Sequence, residues 1–387
     1  MGAGPAGSYV AYALASLGHS VAVLEKKSGP GLDACCTGII STECFDSFGV
    51  GPDIILTRAN SAKFFSPSGK CLRLATQKVQ AYVVDRASFD QAIAGKAQAA
   101  GAEYFFSFRV TDIAIERDIA RVETLWRGAK EVFAARAVII ASGFKPQLCQ
   151  KLGLGQIKHF FVGAQAEIEI KNLDEVEVYF GQQIAPGFFA WLVPISPDKG
   201  LAGLLSKSQA KLYLQRFLTG PFCRGRIVSQ GATIRQKAVP LGILPRTYGN
   251  RILAIGDTAG QVKPTTGGGI FFGHLGARIA AEVLHEALDS DELGAVRLSG
   301  YQRRWKAKMG KEISLGYRAR QFYARLGDHR IEQVFDMLNS GGIARALLNS
   351  PDFSFDWHRK LILAGLQHGL THLLPRIGRP LSREARL

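Results

Sequence analysis

Arg251–Glu282 reads RILAIGDTAGQVKPTTGGGIFFGHLGARIAAE, and the fold turns on how this stretch is parsed. Ile252–Ile255 is a short apolar strand ending at Gly256-Asp257. A loop with Pro264, Thr265 and Thr266 follows, and Gly267, Gly268 and Gly269 open a long Ala-rich helix. Glycines at a helix start leave backbone N–H groups bare to a large planar ligand, and the helix dipole there favours negative charge. A ring that gains negative charge on reduction, such as the pyrimidine edge of a flavin, suits that environment. Asp257, just past a strand, is placed to accept hydrogen bonds from a polyol chain. The same residues also describe a plain glycine-rich loop before a packed helix.

The N-terminus separates the two readings. Gly2-Ala3-Gly4-Pro5-Ala6-Gly7 is a G-x-G-x-x-G, followed by a helix-compatible run to Leu17 and by Gly18 as a stop. The strand Ser20–Leu24 then ends in Glu25, 18 residues beyond Gly7. Such glycines allow a tight turn and close approach to a pyrophosphate, and an acid about 20 residues on binds a ribose hydroxyl. No strand precedes Gly2, although the first strand of a doubly wound sheet is central. The pattern therefore leads us to expect roughly five or six apolar residues encoded upstream.

A chain of 387 residues can bury a sizeable core and divides into two or three domains by length alone. No secretory or transit segment is read, and no run of about 18 uncharged apolar residues offers a membrane span. The longest apolar stretch, Leu361–Leu374, is short and interrupted by His368 and His372. The six cysteines form no C-x-x-C pair, so a reducing cytoplasm is expected, with no disulfide framework and no metal site. The formal charge of +16 is uneven: Tyr301–Leu387 holds 16 Lys+Arg against 7 Asp+Glu. No nucleic-acid module accompanies this excess, so nucleic acid is not expected as a partner. The excess is either a solvated face of helices or a surface for anionic lipid headgroups or a diphosphate-bearing lipid, which would place the protein at the membrane periphery.

Along the chain, Ser28–Gly51 is a loop-rich segment carrying Cys35 and Cys36; after the ribose-binding strand it should pass near the cofactor's other end. Ala62–Thr76 reads as a hairpin around Pro67-Ser68-Gly69, and Tyr82–Val84 as a strand. Ser88 is the expected N-cap of a helix Phe89–Ala100. Ala102–Phe108 is another strand, followed by Val110, then a hairpin over Asp112–Phe133 and a buried strand at Ala137–Gly143. From about Phe160 to Val239, alternation such as Glu167-Ile168-Glu169-Ile170 marks half-buried antiparallel strands. Phe188, Phe189, Trp191 and Pro194 on one strand form either core or the wall of an apolar pocket. Tyr301–Leu387 reads as helices with breaks at Gly341-Gly342 and Pro351.

The expected fold is therefore α/β. A Rossmann-like dinucleotide-binding domain, which the resemblance given next makes FAD-binding, is assembled from residues 1–60, 82–150 and 240–290. An inserted antiparallel-sheet substrate domain takes 61–81 and 151–239, and 291–387 form a helical C-terminal region.

GAGPAG…LEK, DRASFD, PGFFAWLVP, GDTAGQVKPTTGGGI and YQRRWKAKMGKEI together closely resemble the geranylgeranyl reductase family. The resemblance spans essentially the whole chain, and its most specific parts are the glycine block and the Trp305…Glu312 pattern. It implies FAD, a fold like that of para-hydroxybenzoate hydroxylase, and reduction of isolated C=C bonds in prenyl chains. It also implies hydride delivery from reduced flavin N5, a proton from the protein, and a transient electron donor, NAD(P)H or ferredoxin. Residue by residue, it places Gly2, Gly4, Ala6 and Gly7 at the pyrophosphate, Glu25 at the ribose and Val110 at the adenine. Arg86 falls on a flavin-contacting arginine, Asp257 on the ribityl ligand, and Gly268, Gly269 and Ile270 against the isoalloxazine. The family's cysteine loop corresponds to Cys36–Ser41, with Thr37 and Ile39 in place of glycines and an upstream lysine missing. Cys36 is then the local proton donor or a grip on the flavin face. The family's aromatic strand becomes Phe189–Pro194, lacking a tyrosine hydroxyl, which leaves a more apolar wall suited to a hydrocarbon. Two rivals share these features. A flavin monooxygenase or halogenase would act on an aromatic substrate, although no halogenase-type lysine is identifiable. A non-catalytic flavin- or lipid-binding protein would keep the fold alone.

Overall fold

The computed structural model describes residues 1–228, 231–340, 342–348, 350 and 353–367. Its strands begin with β1 (Ala22–Glu25), β2 (Ile39–Ser41), β3 (Ile55–Ala59), β4 (Ser61–Phe65), β5 (Cys71–Ala75) and β6 (Ala81–Val84). Next come β7 (Glu103–Phe106), β8 (Phe108–Glu116), β9 (Ile119–Trp126), β10 (Ala129–Ala135), β11 (Val138–Ile140) and β12 (Phe160–Glu169). The last are β13 (Val176–Phe180), β14 (Phe189–Pro194), β15 (Lys199–Ser206), β16 (Arg235–Pro240), β17 (Tyr248–Gly249) and β18 (Ile252–Ala254). The helices used below are α1 (Pro5–Ser16), α2 (Thr42–Phe48), α3 (Arg86–Ala99), α4 (Pro146–Lys151), α5 (Ala210–Thr219), α6 (Ile270–Asp289), α7 (Ala295–Trp305) and α8 (Lys311–Tyr323). The chain continues with α9 (Asp328–Ser340), α10 (Ile343–Leu348) and α11 (Arg359–Gln367). Of the expected helix breaks, Gly341 and Pro351 lie outside the described residues, as does the apolar stretch from His368 onward.

The nucleotide-binding layer is built from parallel pairs, β1 with β7 and β11 with β18. Met1 and Gly2 stand between the two pairs. Gly2 N–H donates to Leu24 O at 2.8 Å, and Ala141 N–H donates to Met1 O at 2.9 Å. An apolar groove lined by Val10, Leu14, Val21, Val23 and Ile139 also lies between β1 and β11. Against this layer α1 packs on both α3 and α6. Helix α6 is buried along most of its length, including Phe271, Phe272, Leu275, Ile279, Val283 and Leu284, which is why its sequence is apolar nearly all round. Burying each such side chain stabilises the fold by roughly 1.5–3 kcal/mol.

The second body is a seven-stranded sheet in the order β16-β12-β15-β14-β13-β4-β5. Ala164, Ala166, Ile168, Ala190, Leu192, Ala202 and Leu204 turn one face inward, where Leu214 and Phe217 of α5 cover them. The expectation of an antiparallel sheet needs one correction: β13 pairs with β4 in parallel, Val176 opposite Ala62. The β4–β5 hairpin reaches this edge from far up the chain, and alternation within a strand carries no information about its partner's direction.

Two further expectations are corrected. The single hairpin over Asp112–Phe133 is a three-stranded meander, β8-β9-β10. Its turns at Arg117-Asp118 and Arg127-Gly128 use positive φ at Arg117, Arg127 and Gly128. Ser88 is not an N-cap: Asp85 caps α3, its Oδ1 accepting from Ser88 N–H at 2.7 Å. The helix therefore starts three residues earlier and carries Arg86 in its first turn. Among the described residues no helix is long and apolar enough to cross a membrane.

Candidate active site

The nucleotide turn is defined by what cannot be there. A Cβ on Gly7 would lie 2.0 Å from Gly2 O, and one on Gly2, whose φ is +94°, would lie 2.4 Å from Ala141 O. Above Gly4, by contrast, a Cβ meets nothing within 4 Å. Ala6 is small because Gly256 and Gly273 close on it: a Cβ on either would lie 3.4 or 3.6 Å from its methyl group. Helices α1 and α6 thus approach at their first turns, and neither N-terminus has a side-chain cap or an acidic residue in its first turn. Their free N–H groups and positive dipole ends stay uncompensated within the protein. Glu25 braces the turn, its two oxygens accepting from Ala3 N–H at 2.8 Å and Lys27 N–H at 3.0 Å. Val110 sits at the start of an irregular stretch of β8, packed against the core that contains Leu24.

Asp257 and Gly269 are adjacent because Gly269 lacks a side chain: a Cβ there would lie 2.7 Å from Asp257 Oδ1. Gln261 fixes the preceding turn, accepting from Gly256 N–H at 2.8 Å and donating to Tyr301 Oη at 2.7 Å; Tyr301 in turn donates to Ala254 O. Trp305 donates its indole N–H to Thr247 Oγ1 at 3.0 Å, and Glu312 accepts from the His358 and Arg359 amides. The Trp305…Glu312 pattern therefore anchors the helical region to the turn before β17 and to α11, while Tyr301 ties it to the glycine block through Gln261.

The cysteine loop closes the site from the other side. Gly38 lies against Arg86, where a Cβ would come 3.2 Å from Arg86 Cγ and 2.4 Å from Val84 O. Arg86 is half-buried and paired with Asp90 at 2.6 Å, yet its buried Nε has no partner. Burial opposes the Arg86 cation, but the nearby Cys36 and Asp90 outweigh it and hold its pKa above the ordinary arginine value. Thr37, one of the departures from the family pattern, donates to Gln165 Oε1 at 3.0 Å and ties the loop to β12. Ile39, the other, pairs with Val83 in the ladder β2·β6.

The sequence reading missed two lysines here. Lys237 of β16 reaches Asp257 Oδ2 at 2.9 Å, and that carboxylate holds its ammonium above the usual lysine range; Cys36 acts in the same direction. Lys263, 7% exposed, runs under Gly268, where a Cβ would lie 3.1 Å from its Cε. Its Nζ pairs with Asp356 at 2.6 Å, and Asp356 also accepts from Ser41 Oγ. One buried carboxylate so joins the exit of the cysteine loop, the glycine block and the C-terminal segment. Lysines are therefore present at the site, each committed to a carboxylate. The partners lie 20 and 93 positions apart, and no helix or strand period links them.

Phe189 and Trp191 share one face of β14 and pack with Phe161, Phe188, Leu205, Leu241 and Tyr317. Leu205 touches the glycine block, where a Cβ on Gly267 would lie 2.6 Å from its Cδ1. The Trp191 indole lies on Gly203, and its Nε1 is buried without a partner. Pro194 is not part of this wall. Strand alternation turns it to the face of Ala190 and Leu192, and its carbonyl accepts from Thr57 Oγ1 at 2.9 Å. Arg320, 7% exposed and unseen in the sequence reading, stacks 4.2 Å from the Phe161 ring centroid and donates to Gly187 O at 2.9 Å.

Taken together, two uncapped helix N-termini, an open approach above Gly4 and an unpartnered Arg86 Nε fit a dinucleotide with a planar redox ring. Residues 1–65 match the NAD(P)-binding Rossmann-like domain family. The chain is 30% identical over 353 residues to a digeranylgeranylglycerophospholipid reductase of Methanocaldococcus jannaschii, covering 87% of this chain and 89% of that one. A geranylgeranyl bacteriochlorophyll reductase-like protein of Thermoplasma acidophilum superposes with a TM-score of 0.83 at 21% identity, covering 96% and 98% of the two chains. A flavin-dependent brominase superposes with a TM-score of 0.70 at 16% identity, covering 95% and 97%, and shares the fold alone. On this evidence the chain has a flavoprotein fold and belongs to the geranylgeranyl reductase family.

Proposed function

We propose that the protein is an FAD-dependent reductase that saturates C=C bonds of geranylgeranyl or other prenyl chains borne on a phosphate-containing lipid. The observation that carries this reading is the pair of uncapped helix N-termini, at Gly4 and Gly269, meeting at Ala6 beside an apolar aromatic wall. Gly2, Gly4, Ala6 and Gly7 admit the pyrophosphate, and Asp257 accepts from the ribityl chain. Gly269 and Ile270 offer bare amides to the pyrimidine edge, where negative charge is stabilised, and Gly268, whose own N–H donates to Thr266 Oγ1 at 3.3 Å, lies beside them. FAD, when bound, supplies the hydride for one alkene carbon, and NAD(P)H or ferredoxin restores the reducing equivalents.

An isolated alkene has no carbonyl to polarise, so the protein's task is placement, exclusion of water and a proton. Phe189, Trp191, Phe161 and Leu205 make a dry face that grips a hydrocarbon. Cys36 donates the proton to the second carbon, with the Arg86 and Lys237 cations beside it. The surface around Arg297, Arg303 and Arg304, where Glu286 and Glu292 pair with Arg297 and Arg304 and Val296 is 89% exposed, keeps a small excess of positive charge towards an anionic membrane from which the lipid is drawn.

Anaerobic, dithionite-reduced protein incubated with geranylgeranyl diphosphate and with a diether prenyl lipid tests the reaction by mass. Each saturated bond adds two hydrogens. Substrates of unchanged mass, or product formed only with oxygen, would discard the reading in favour of a monooxygenase.

A further inference from the structure

Helices α1 and α6 meet at their first turns around the nucleotide site, and they meet again at their far ends. His19, just past the C-terminus of α1, places Nε2 2.8 Å from Nδ1 of His285 on α6. His285 Nε2 lies 3.5 Å from Asp289 Oδ2, one helical turn on. One ligand atom from each of the three lies within 4.8 Å of the other two. Both imidazoles are half-buried and Asp289 is exposed, so the cluster is open to solvent ions.

The electrostatics of this corner call for a cation. Both helices end here, each with its negative dipole end, and neither carries a basic residue in its last turn. Asp289, the last residue of α6, adds a carboxylate where the dipole disfavours one. The nearest cation, Arg136, is taken up by Leu288 O at 2.8 Å and Asp291 at 2.6 Å.

We propose that His19, His285 and Asp289 form a binding site for one divalent transition-metal cation of the zinc class, which clamps the far ends of α1 and α6 together. Two imidazoles and one carboxylate are the donor set for such ions, whereas magnesium and calcium favour all-oxygen cages. With metal–nitrogen bonds of about 2.0–2.1 Å, tetrahedral ligands stand roughly 3.3 Å apart, so the rings need to part by about half an ångström, and the exposed Asp289 side chain, now 3.5 Å from the far nitrogen of His285, has to swing towards Nδ1. The metal replaces the proton now shared between the two nitrogens, and water completes the shell. The site escapes a sequence reading because its histidines are 266 positions apart.

The test uses the flavin-free full chain after chelator treatment, so its outcome is independent of the cofactor reading. Zinc titration by calorimetry and cobalt titration by visible absorption should both show one ion per chain with micromolar or tighter affinity, and zinc should raise the melting temperature. His19→Ala and His285→Ala should each weaken zinc binding roughly tenfold or more, and Asp289→Asn, at an exposed position, several-fold. A Cys35→Ser/Cys36→Ser variant should bind zinc as the native chain does. Millimolar affinity, or zinc binding unchanged in both histidine variants, would overturn the proposal.

Discussion

Replacing Gly4 with alanine adds one methyl group to the open space above the nucleotide turn. In the flavin-free protein that methyl group touches nothing within 4 Å, and the backbone at φ −75° and ψ 177° is open to any residue. The small N-cap preference for glycine and the lower entropy of an unfolded alanine chain oppose each other, so stability should change by less than about 1 kcal/mol. The ligand is affected differently. A pyrophosphate bound to the first amides of α1 has to pass where the methyl group stands. Displacing it by about 1 Å forfeits one or two charge-assisted hydrogen bonds, about 2–5 kcal/mol, or roughly 30- to 5000-fold in affinity. Quenching of flavin fluorescence on titration gives the affinity, and thermal unfolding of the flavin-free protein gives the control. A folded Gly4→Ala protein that binds FAD within about threefold of the native affinity would show that the pyrophosphate does not lie at Gly4.

Four other outcomes are expected. Cys36→Ala should keep bound flavin and its visible spectrum while slowing alkene reduction; unchanged turnover in single-turnover assays removes Cys36 from the chemistry. Asp356→Asn leaves the Lys263 ammonium buried without its carboxylate and should cost about 3–5 kcal/mol by urea unfolding, much of it recovered in Lys263→Met/Asp356→Leu. His274, pressed between Tyr9 and Phe48, and His358 are both pushed down to about 4, first by burial. The unfolded chain therefore takes up protons that the folded one refuses. Stability should hold above about pH 6.5 and fall towards pH 4 by about 3 kcal/mol per histidine, and His274→Leu should remove its share of the slope in urea midpoints measured against pH. Cosedimentation with vesicles rich in anionic lipid should exceed that with neutral vesicles and weaken with salt; equal binding to both would remove the membrane surface as a partner.

The parts legible in the sequence are those where chemistry is forced locally. Gly2 and Gly7 could be read because the backbone turn tolerates no side chain there, Gly4 because it completes their spacing, and Gly267–Gly269 because a glycine-rich helix start has its own signature. The α1–β1 and β18–α6 units followed from period and from stop signals such as Gly18, whose φ is +86°. What was not legible depends on residues meeting from far apart. The parallel pairing of β4 with β13 joins strands more than 100 residues apart, and nothing in either strand encodes it. The Lys263–Asp356–Ser41 cluster, the Lys237–Asp257 pair and Arg320 over Phe161 are likewise products of tertiary packing. Pro194 is a different case. Alternation along Phe189–Pro194 already places it opposite Trp191, and reading the motif as one block hid that parity. Asp85 also precedes Ser88 as a capping residue, and an acid three positions before a serine amide is a signal the sequence did contain.

The central claim is that reducing equivalents held at the Gly268–Gly269 amides pass directly to a prenyl double bond. Its most direct test is to reduce the FAD-loaded protein anaerobically, add a prenyl lipid, and follow flavin absorbance while counting saturated bonds by mass. The account predicts reoxidation without oxygen, one flavin for each double bond saturated. Flavin that stays reduced in the presence of the lipid, and reoxidises only when oxygen is admitted, would contradict it.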